Sequence, residues 1–380
     1  MKRKALKYLI AWKTSPDRKP VLIRGARQVG KSYLVRQLAQ EFSNFVEVNF
    51  ELEPTLKSLF EKDLDPRRIV RDLCIKKKCQ ITEGQTLLFL DEIQQCPNAV
   101  TALRYFYEKL PGLHVIGAGS LLEFALDKIG IPVGRVISHY LFPMSFLEFL
   151  DAVDQSKLKE ALENHAAFEQ MPSVFHDELL DLMGQYLAVG GMPEAVRVWA
   201  EIQDLNKCSE IHYTLIDTFR QDFAKYARKH QVQYLETVFD AVPRMLGKKF
   251  VFVRVASDLK SRELRPALEL LSKAGIVHLV CHSAANGVPL GAEVNLSLFK
   301  VIFLDVALAQ TILGLEKGEW ILDPFNKISN MGPLIEALVG QEILAYGTPS
   351  RKKELYYWVR ETKGSTAELD YVCAENQHVI

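Results

Sequence analysis

Four residues near the start of the chain have the spacing of a phosphate-binding loop. Gly25, Gly30, Lys31 and Ser32 fit the pattern G-x-x-x-x-G-K-[ST] at every fixed position. Glycines in such a loop let backbone N–H groups turn toward phosphate oxygens, and the positive end of the following helix adds to the same field. The lysine reaches the β and γ phosphates, and the serine hydroxyl ligates Mg²⁺. The spacing therefore predicts a site for a nucleoside triphosphate and Mg²⁺.

The flanks of this loop agree with the motif, which requires a strand before it and a helix after it. The apolar run PVLIR supplies the strand, and the helix is predicted from the helical spacing of Leu34, Val35 and Leu38. A chance match on a glycine-containing turn is the alternative, and it is disfavoured because both flanks are right. The predicted nucleotide-binding residues are Gly25, Ala26, Arg27, Gln28, Val29, Gly30, Lys31, Ser32 and Asp91.

A pair of acids follows a second apolar strand. The segment QTLLFLDEIQ contains the apolar run 86–90 and then Asp91 and Glu92, and a near-continuous apolar run is typical of a parallel strand. Ligands of open α/β sheets bind at the carboxyl ends of the strands. We therefore predict that Asp91 and Ser32 hold Mg²⁺, and that Glu92 polarises the water that attacks the γ-phosphate. A solvated Asp-Glu pair is the alternative, and the phosphate-binding loop argues against it.

Two further residues are candidates for the catalytic machinery, each with an equal alternative. Ser120 ends the next predicted strand, LHVIGAGS, where a polar side chain can contact the γ-phosphate or the attacking water. The same serine can instead be the N-cap of the following helix. Arg135 in PVGRV can stabilise charge on the transferring phosphoryl group, from its own subunit or from a neighbour. Its alternative is a structural or surface arginine.

The order of several segments resembles a family of bacterial and archaeal AAA+-type ATPases that carry a C-terminal domain of unknown function. The resemblance covers nearly the whole chain and implies ATP as the nucleotide, Mg²⁺ as its partner, and a target that is largely uncharacterised. No guanine-reading Asn-Lys-x-Asp segment is present. The segments that carry the resemblance are RGARQVGKS, LLFLDEIQ, VIGAGSLLEF, GRVISHYLFPMSFLEF and YLAVGGMPEAV.

Alternating strands and helices over the first third of the chain predict an α/β fold, a doubly wound parallel sheet. The following region is predicted to be helical, as in the lid of similar ATPases, and such a lid can couple phosphate state to motion. Helices and a two-stranded wing then suggest a winged helix. The predicted regions are 1–150 (P-loop ATPase domain), 151–235 (helical lid), 236–300 (winged-helix-like module) and 301–380 (incomplete nuclease-like region).

The winged-helix-like module carries a basic helix. Lys260, Arg262 and Arg265 lie near the start of SRELRPALELLSKAG and can contact nucleic-acid phosphates. A solvated face of a structural helix is the slightly favoured alternative, because the chain has as many acidic as basic residues, 47 of each. The strand VHLVCH contains His278, Cys281 and His282, for which a half-buried strand is favoured over a metal site.

The last region resembles the beginning of a PD-(D/E)xK nuclease-like fold, which the family often carries. The resemblance makes Glu336 the helix acid and Asp370 the first metal-binding acid. Such a site also needs a following strand with an acid and a lysine, and the sequence has none after Asp370. Two carboxylates alone are a poor site for metal-assisted hydrolysis, so we expect no nuclease activity from this chain. Whether the shortening is natural stays open.

Composition narrows the class of protein. Apolar residues make up 48% of the 380 residues and charged residues 25%, values that are normal for a soluble globular chain of two or three domains. No apolar run reaches the length of a membrane helix, so no membrane partner is expected. The N-terminal basic and apolar residues read as a packed helix rather than a signal peptide. Six scattered cysteines indicate reduced thiols and a cytoplasmic protein.

The leading interpretation is a cytoplasmic P-loop ATPase whose Mg²⁺-dependent hydrolysis of ATP switches its contacts with a macromolecule. One alternative is a nucleotide-gated regulatory protein with negligible turnover. Another is an effector that binds nucleic acid under ATP control. DNA and protein both remain open as partners, and a homo-oligomer is expected if Arg135 acts on a neighbouring subunit.

Overall fold

The computed structural model describes residues 1–380 except 131, 133, 167–168, 363–364 and 376–377. The chain divides into two compact units. The N-terminal unit contains Lys2–Leu141 together with Thr348–Lys352, and the C-terminal unit contains Phe142–Gly347 together with Lys353–Ile380. In the described part of the chain, no helix combines the length and apolar character that a membrane crossing requires. The six cysteines are free thiols.

A five-stranded parallel sheet forms the centre of the N-terminal unit. Its order is β2-β3-β4-β1-β5, and every neighbouring pair is parallel. The predicted α/β class is confirmed. The fifth strand was not predicted from the sequence, since ISHY has only four residues and neither an apolar run nor a regular alternation. The strands are β1 (Val21–Arg24), β2 (Asn44–Asn49), β3 (Thr86–Asp91), β4 (His114–Ala118) and β5 (Ile137–Tyr140).

Helices cover the apolar strands of this sheet. The side chains of β1, β3 and β4 are buried along their whole length, as expected for strands that are covered on both faces. The helix after the phosphate-binding loop buries Leu34, Val35 and Leu38, so its predicted apolar face is confirmed. The helices of the unit are α1 (Lys4–Thr14), α2 (Lys31–Ala39), α3 (Pro66–Lys77), α4 (Pro97–Lys109) and α5 (Leu122–Ile129), with 3₁₀ turns at Pro54–Phe60 and Ile93–Gln95.

Strand register brings the ends that carry the candidate residues to one edge of the sheet. Asn49 is paired with Asp91, Leu90 with Gly117, and Ile23 with Ala118. Strand β4 lies between β1, which leads into the phosphate-binding loop, and β3, which ends in the acids. All of these strands run in the same direction, so this edge is the carboxyl edge at which open α/β sheets bind ligands.

The C-terminal unit begins with helices and continues with a mixed arrangement of helices and strands. Between 146 and 226 the described residues form helices joined by short connections, one of which lies at Gly190–Met192, in agreement with the predicted secondary structure. The helices are α6 (Phe146–Ala152), α7 (Ser156–Glu163), α8 (Ser173–Val189), α9 (Pro193–Ile202), α10 (Leu205–Tyr226), α11 (Lys229–Ala241), α12 (Ser261–Lys273), α13 (Val306–Leu313), α14 (Glu319–Leu322), α15 (Pro324–Asn330) and α16 (Gly332–Tyr346).

A four-stranded sheet joins two regions that the sequence separates. Its order is β7-β6-β8-β9, with β6 antiparallel to β7 and parallel to β8. The predicted boundary after residue 300 falls inside β7, so the wing and the tail share one sheet. The four-part division itself stays a prediction. The strands are β6 (Val277–Ser283), β7 (Val294–Phe303), β8 (Tyr356–Thr362) and β9 (Ser365–Val372), followed by the short pair β10 (Ala374–Glu375) and β11 (His378–Val379).

Candidate functional site

The predicted phosphate-binding loop connects β1 to α2. Gln28 and Gly30 adopt positive φ angles of 63° and 92°, which turn the backbone sharply before the helix. Val29, a residue of the loop, has a fully buried side chain. Its carbonyl accepts a hydrogen bond of 2.8 Å from Arg3 Nη1. Helix α2 therefore starts directly at the loop, with its N–H groups at the end where anions bind. Strand, loop and helix have the order that the motif requires.

Gly25 starts the loop in a conformation that only glycine adopts without strain. Its φ angle is 142°, and a Cβ built on it would overlap the carbonyl oxygen of Leu141. Leu141 N donates to Arg24 O at 2.8 Å, so this part of the backbone cannot easily move away. The first fixed position of the motif is therefore glycine for a steric reason as well as a conformational one.

Lys31 lies over the loop at the first position of α2. Its Nζ donates to the carbonyls of Gly25 at 3.0 Å and Ala26 at 2.6 Å. Burial lowers the pKa of Lys31 to about 8, and the nearby carboxylates of Glu92 and Asp91 oppose that shift. Phosphate oxygens placed against this amine would favour its charged form further. The lysine is thus positioned to pair with an anionic ligand of the loop.

The predicted Mg²⁺ ligands are in direct contact. Ser32 Oγ donates to Asp91 Oδ2 at 2.9 Å, and Asn49 Nδ2 approaches the same oxygen at 3.3 Å. A hydroxyl and a carboxylate are the oxygen ligands that Mg²⁺ prefers, usually with waters and phosphate oxygens completing the shell. Burial raises the pKa of Asp91, while the Ser32 hydroxyl opposes that rise. These residues therefore fit Mg²⁺ bound to a nucleotide in the loop.

Glu92 follows Asp91 and is held in one orientation. Its backbone is left-handed, with φ at 49°, and its carboxylate accepts a hydrogen bond from Gln94 Nε2. Burial raises the pKa of Glu92, and the Gln94 amide opposes that rise. A carboxylate whose pKa is raised toward neutrality is a better general base than an exposed one. A side chain at position 119 would collide with Gln94 Oε1. Glycine at this position therefore leaves room for the Gln94 side chain beside Glu92.

Ser120 lies at the same carboxyl edge, two residues after β4. Helix α5 has Leu121 as its N-cap residue and no side-chain cap hydrogen bond. Ser120 is therefore not the N-cap residue of this helix. Because β4 lies between β1 and β3, Ser120 is placed between the loop and the acids along the edge. Its contact with a phosphate or a water stays a prediction.

Arg135 lies at the opposite edge of the sheet, which corrects one of its two predicted modes of action. It precedes β5 by two residues, and β5 is paired in parallel with β1 from Val21 onward. Its Nε donates to Glu108 Oε1 at 3.1 Å, in the last turn of α4. At about 3.3 Å per residue it is roughly 20 Å from the loop along the strand direction. Arg135 therefore cannot contact a nucleotide in its own loop. Its ion pair with Glu108 fits the alternative of a structural or surface arginine, and action on a neighbouring subunit stays a prediction.

Comparison with known proteins identifies the N-terminal region. The family model described as "AAA domain" matches residues 17–150, which contain the loop, the two acids and all five strands of the parallel sheet. Residues 17–150 are thus similar to an AAA domain and have a P-loop fold. A second family model, described as "Domain of unknown function (DUF8612)", matches residues 180–319 of the C-terminal unit. No curated protein sequence matches the chain.

One of three similar solved structures shares the fold of this chain. The Walker-type ATPase paby2304 of Pyrococcus abyssi aligns with a TM-score of 0.53 and 15% identity, covering 82% of this chain and 95% of that one. The Aeropyrum pernix Orc1 protein in complex with DNA gives 0.33 at 14% identity, covering 85% and 92%. C. elegans PCH-2 gives 0.30 at 15% identity, covering 54% and 64%. At these identities the first likeness shows a shared fold, and the other two TM-scores are too low to support an argument.

Three polar residues that support the AAA site were not predicted from the sequence. Arg3 anchors the loop at Val29, Asn49 contacts Asp91, and Gln94 holds Glu92. Asn49 is the last residue of β2, which pairs with β3. Its position beside Asp91 could therefore have been predicted from the order of the strands. Arg3 and Gln94 act through contacts that no spacing pattern indicates.

The two acids predicted for a nuclease-like tail do come together, but around a lysine. Lys300 Nζ, on β7, is 2.7 Å from Glu336 Oε1 and 3.0 Å from Asp370 Oδ1. A third carboxylate, that of Glu368, places its Oε1 2.5 Å from Lys300 Nζ. Burial disfavours the charged lysine, yet these carboxylates hold the pKa of Lys300 above its ordinary value. The cluster is therefore an ion-pair network around a buried lysine, in which Glu368 and Asp370 are half exposed, and the nuclease-like assignment is not confirmed.

The histidines of β6 contact aromatic rings. The ring of His278 lies 5.5 Å from that of Phe142, and the ring of His282 lies 5.4 Å from that of Tyr357. A bulge between Cys281 and His282 interrupts the regular alternation of the strand. Over the described residues, no three His, Cys, Asp or Glu side chains are grouped to hold a metal ion.

Proposed function

We propose that this chain hydrolyses Mg·ATP in the AAA domain and that hydrolysis switches its contacts with a macromolecular partner. The observation that carries the proposal is the contact of 2.9 Å between Ser32 Oγ and Asp91 Oδ2, with Glu92 beside it. This contact joins the end of the phosphate-binding loop to the acid strand. The free thiols support a cytoplasmic setting.

Each residue of the site has a distinct part in this reaction. Backbone N–H groups of the loop and Lys31 neutralise the phosphate oxygens, and Ser32 and Asp91 hold Mg²⁺. When bound, Mg²⁺ supplies charge stabilisation to the phosphates. Glu92 accepts a proton from the water that attacks the γ-phosphorus, while the bond to the leaving ADP oxygen breaks. Ser120 orients that water or the γ-phosphate from the neighbouring strand end.

An arginine from a second copy completes the site in this proposal. Arg135 lies on the edge of the sheet opposite the loop of its own subunit, and its side chain is half exposed. An arginine that is displayed in this way can reach the nucleotide of a neighbour, as arginines supplied in trans do. The proposal therefore includes a homo-oligomer as the form that hydrolyses ATP fastest.

Nucleic acid is a candidate partner because of the placement of three basic residues. Lys260, Arg262 and Arg265 are exposed at the start of α12, next to the antiparallel pair β6 and β7. Helix plus antiparallel wing is the arrangement that a winged helix presents to DNA. The guanidinium of Arg265 lies 5.8 Å from the centre of the Phe252 ring, so this residue also has a packing role.

The Lys31→Ala variant tests the proposed reaction. Loss of the amine removes a charge-assisted contact to the phosphates, so Mg²⁺-dependent phosphate release should fall about 10-fold to 100-fold. Release is measured for wild type and variant, each with and without added duplex DNA. Release that depends on Lys31 and rises with DNA supports a nucleic-acid partner, whereas release that is indifferent to DNA supports a protein partner. Equal release from the variant would contradict hydrolysis at this loop.

Replacing Lys260, Arg262 and Arg265 with alanine together tests the DNA partner. If each contacts one phosphate, the slope of log K against log salt should become shallower by about three. Binding of a duplex is measured by fluorescence anisotropy at several salt concentrations.

The matched control removes the same number of charges elsewhere in the C-terminal unit. Lys157, Lys207 and Lys229 are exposed on other helices and serve this purpose. If the two triple variants have the same salt slope as wild type, α12 is not a DNA-binding helix.

A further inference from the structure

A cavity of about 230 Å³ lies in the C-terminal unit, within the region that matches the domain of unknown function. It opens between the first turns of α10 and the chain that follows α13. Leu205 and Leu315 supply apolar wall, Asn206 and Tyr213 are exposed at the rim, and Lys317 lies at the buried end. The cavity is larger than the 150 Å³ or so that accommodates benzene, so a small organic molecule fits.

Lys317 is a buried cation whose contacts are all with neutral groups. It is 6% exposed, and its Nζ lies 2.8 Å from His212 Nδ1 and 3.0 Å from Thr311 Oγ1. His212 Nε2 lies 2.9 Å from the carbonyl oxygen of Val189. A carbonyl can only accept, so the imidazole proton is on Nε2, and Nδ1 offers a lone pair to the lysine. His212 is therefore a neutral acceptor and does not offset the lysine charge.

No carboxylate of the described residues forms an ion pair with Lys317 within 4.0 Å. Asp305 is the acid with the largest effect on it, and its oxygens already accept from the backbone N–H groups of Gly191, Ala307 and Leu308. Burial lowers the pKa of Lys317 to about 8. An ammonium has three N–H donors, and only two acceptors are in place, so one donor remains for the cavity.

Lys300, a second buried lysine in the same unit, has the carboxylate partners that Lys317 lacks among the described residues. Lys300 is buried to a similar extent, at 4% exposure, and three carboxylates surround its Nζ. Burying a charge is costly unless it is paired, and Lys300 follows that rule. Lys317 lines a cavity, whereas Lys300 is surrounded by carboxylates. The missing negative charge is therefore expected from a bound molecule.

We propose that this cavity binds a small organic monocarboxylate, whose carboxylate pairs with Lys317 Nζ and whose apolar part contacts Leu205 and Leu315. A single ammonium offsets a single negative charge, which favours a carboxylate over a phosphate group that needs more donors. Ser209 and Thr311 place hydroxyls on the cavity wall. The N-terminal turn of α10 adds a favourable field for an anion, although Asp204 already caps two of its N–H groups.

One carboxylate of the chain faces the entrance and works against the proposal. Glu316 lines the cavity and is exposed. Solvent screens an exposed charge much more than a buried one, so Glu316 weakens the attraction of an anion without cancelling that of Lys317. Its neutral variant, Glu316→Gln, is expected to bind the carboxylate somewhat more tightly than wild type.

Benzoate is the probe that tests the cavity, since it joins a carboxylate to a ring of the right size. Binding to the full chain is measured by isothermal titration and by saturation-transfer NMR. We expect saturable binding to wild type and at least about 10-fold weaker binding to Lys317→Met, since a charge-assisted hydrogen bond is lost. Methionine has nearly the same length and no charge, so the buried site should stay folded.

Controls separate charge, shape and fold. Lys327→Met removes a cation outside the cavity and should leave benzoate binding unchanged. Benzamide has the shape of benzoate without the charge and should not bind, and inorganic phosphate should not compete with benzoate. If Lys317→Met fails to fold, Ser209→Leu fills the cavity from α10 and should abolish binding by itself. Absence of benzoate binding to wild type, wild-type binding by Lys317→Met or Ser209→Leu, or equal binding of benzamide would overturn the proposal.

Discussion

Replacing Glu92 with glutamine is expected to lower the rate of ATP hydrolysis by a factor of about 10² to 10⁴, the usual contribution of a general base. Glutamine has the same shape and can remain beside Gln94, but it cannot take a proton from water. The affinity for ATP should stay within about threefold of wild type, since Lys31, Ser32 and Asp91 keep their contacts. The measurement is steady-state phosphate release, together with equilibrium binding of ATP to the same preparation.

The result separates a true ATPase from a nucleotide-gated switch. Glu51→Gln is the matched control, because Glu51 is exposed, yet close enough to affect the electrostatics of Glu92. We expect the control to hydrolyse ATP at nearly the wild-type rate. If Glu92→Gln also does so, Glu92 is not the base. If wild type binds ATP and releases no phosphate, the chain acts through nucleotide occupancy alone.

The centre of the AAA site was predictable because its chemical groups belong to two short, continuous segments of the sequence. The loop 25–32 and the pair Asp91 and Glu92 each stand directly after an apolar strand, and strand ends of a parallel sheet meet at one edge. Two local patterns and one rule of topology were therefore enough to bring Ser32 and Asp91 together. In the structure the two side chains are joined by a hydrogen bond, while their role as Mg²⁺ ligands stays a prediction.

The supporting contacts were not predictable because they depend on register and on long-range pairing. The position of Arg135 at the amino edge follows only from β5 pairing with β1, and β5 has no clear sequence signal. Lys300 and Asp370 meet because β6 pairs in parallel with β8 across more than seventy residues. Such pairing is set by packing in the folded chain and not by local spacing. The uncompensated charge of Lys317 likewise becomes visible only when its surroundings are known.

Replacing Gly25 with alanine is expected to weaken ATP binding by about 100-fold or more. The new Cβ would overlap Leu141 O, and φ at 142° disfavours any residue with a side chain. Leu141 O is a backbone atom beside β5, so rotation of a side chain cannot relieve the overlap, and the loop itself has to move. Such strain costs of order 1–3 kcal/mol at one residue, and a displaced loop also loses its N–H contacts to phosphate.

A second glycine in the same unit separates the two causes of that loss. Gly84 also has a positive φ, 78°, but an added Cβ there meets no atom within 4 Å. Gly84→Ala should therefore lower the free energy of unfolding by about 1 kcal/mol and leave ATP affinity unchanged. If the two variants bind ATP equally well, the overlap with Leu141 does not control the loop. If Gly25→Ala alone loses ATP while both remain folded, the carbonyl after β5 sets the shape of the phosphate-binding loop.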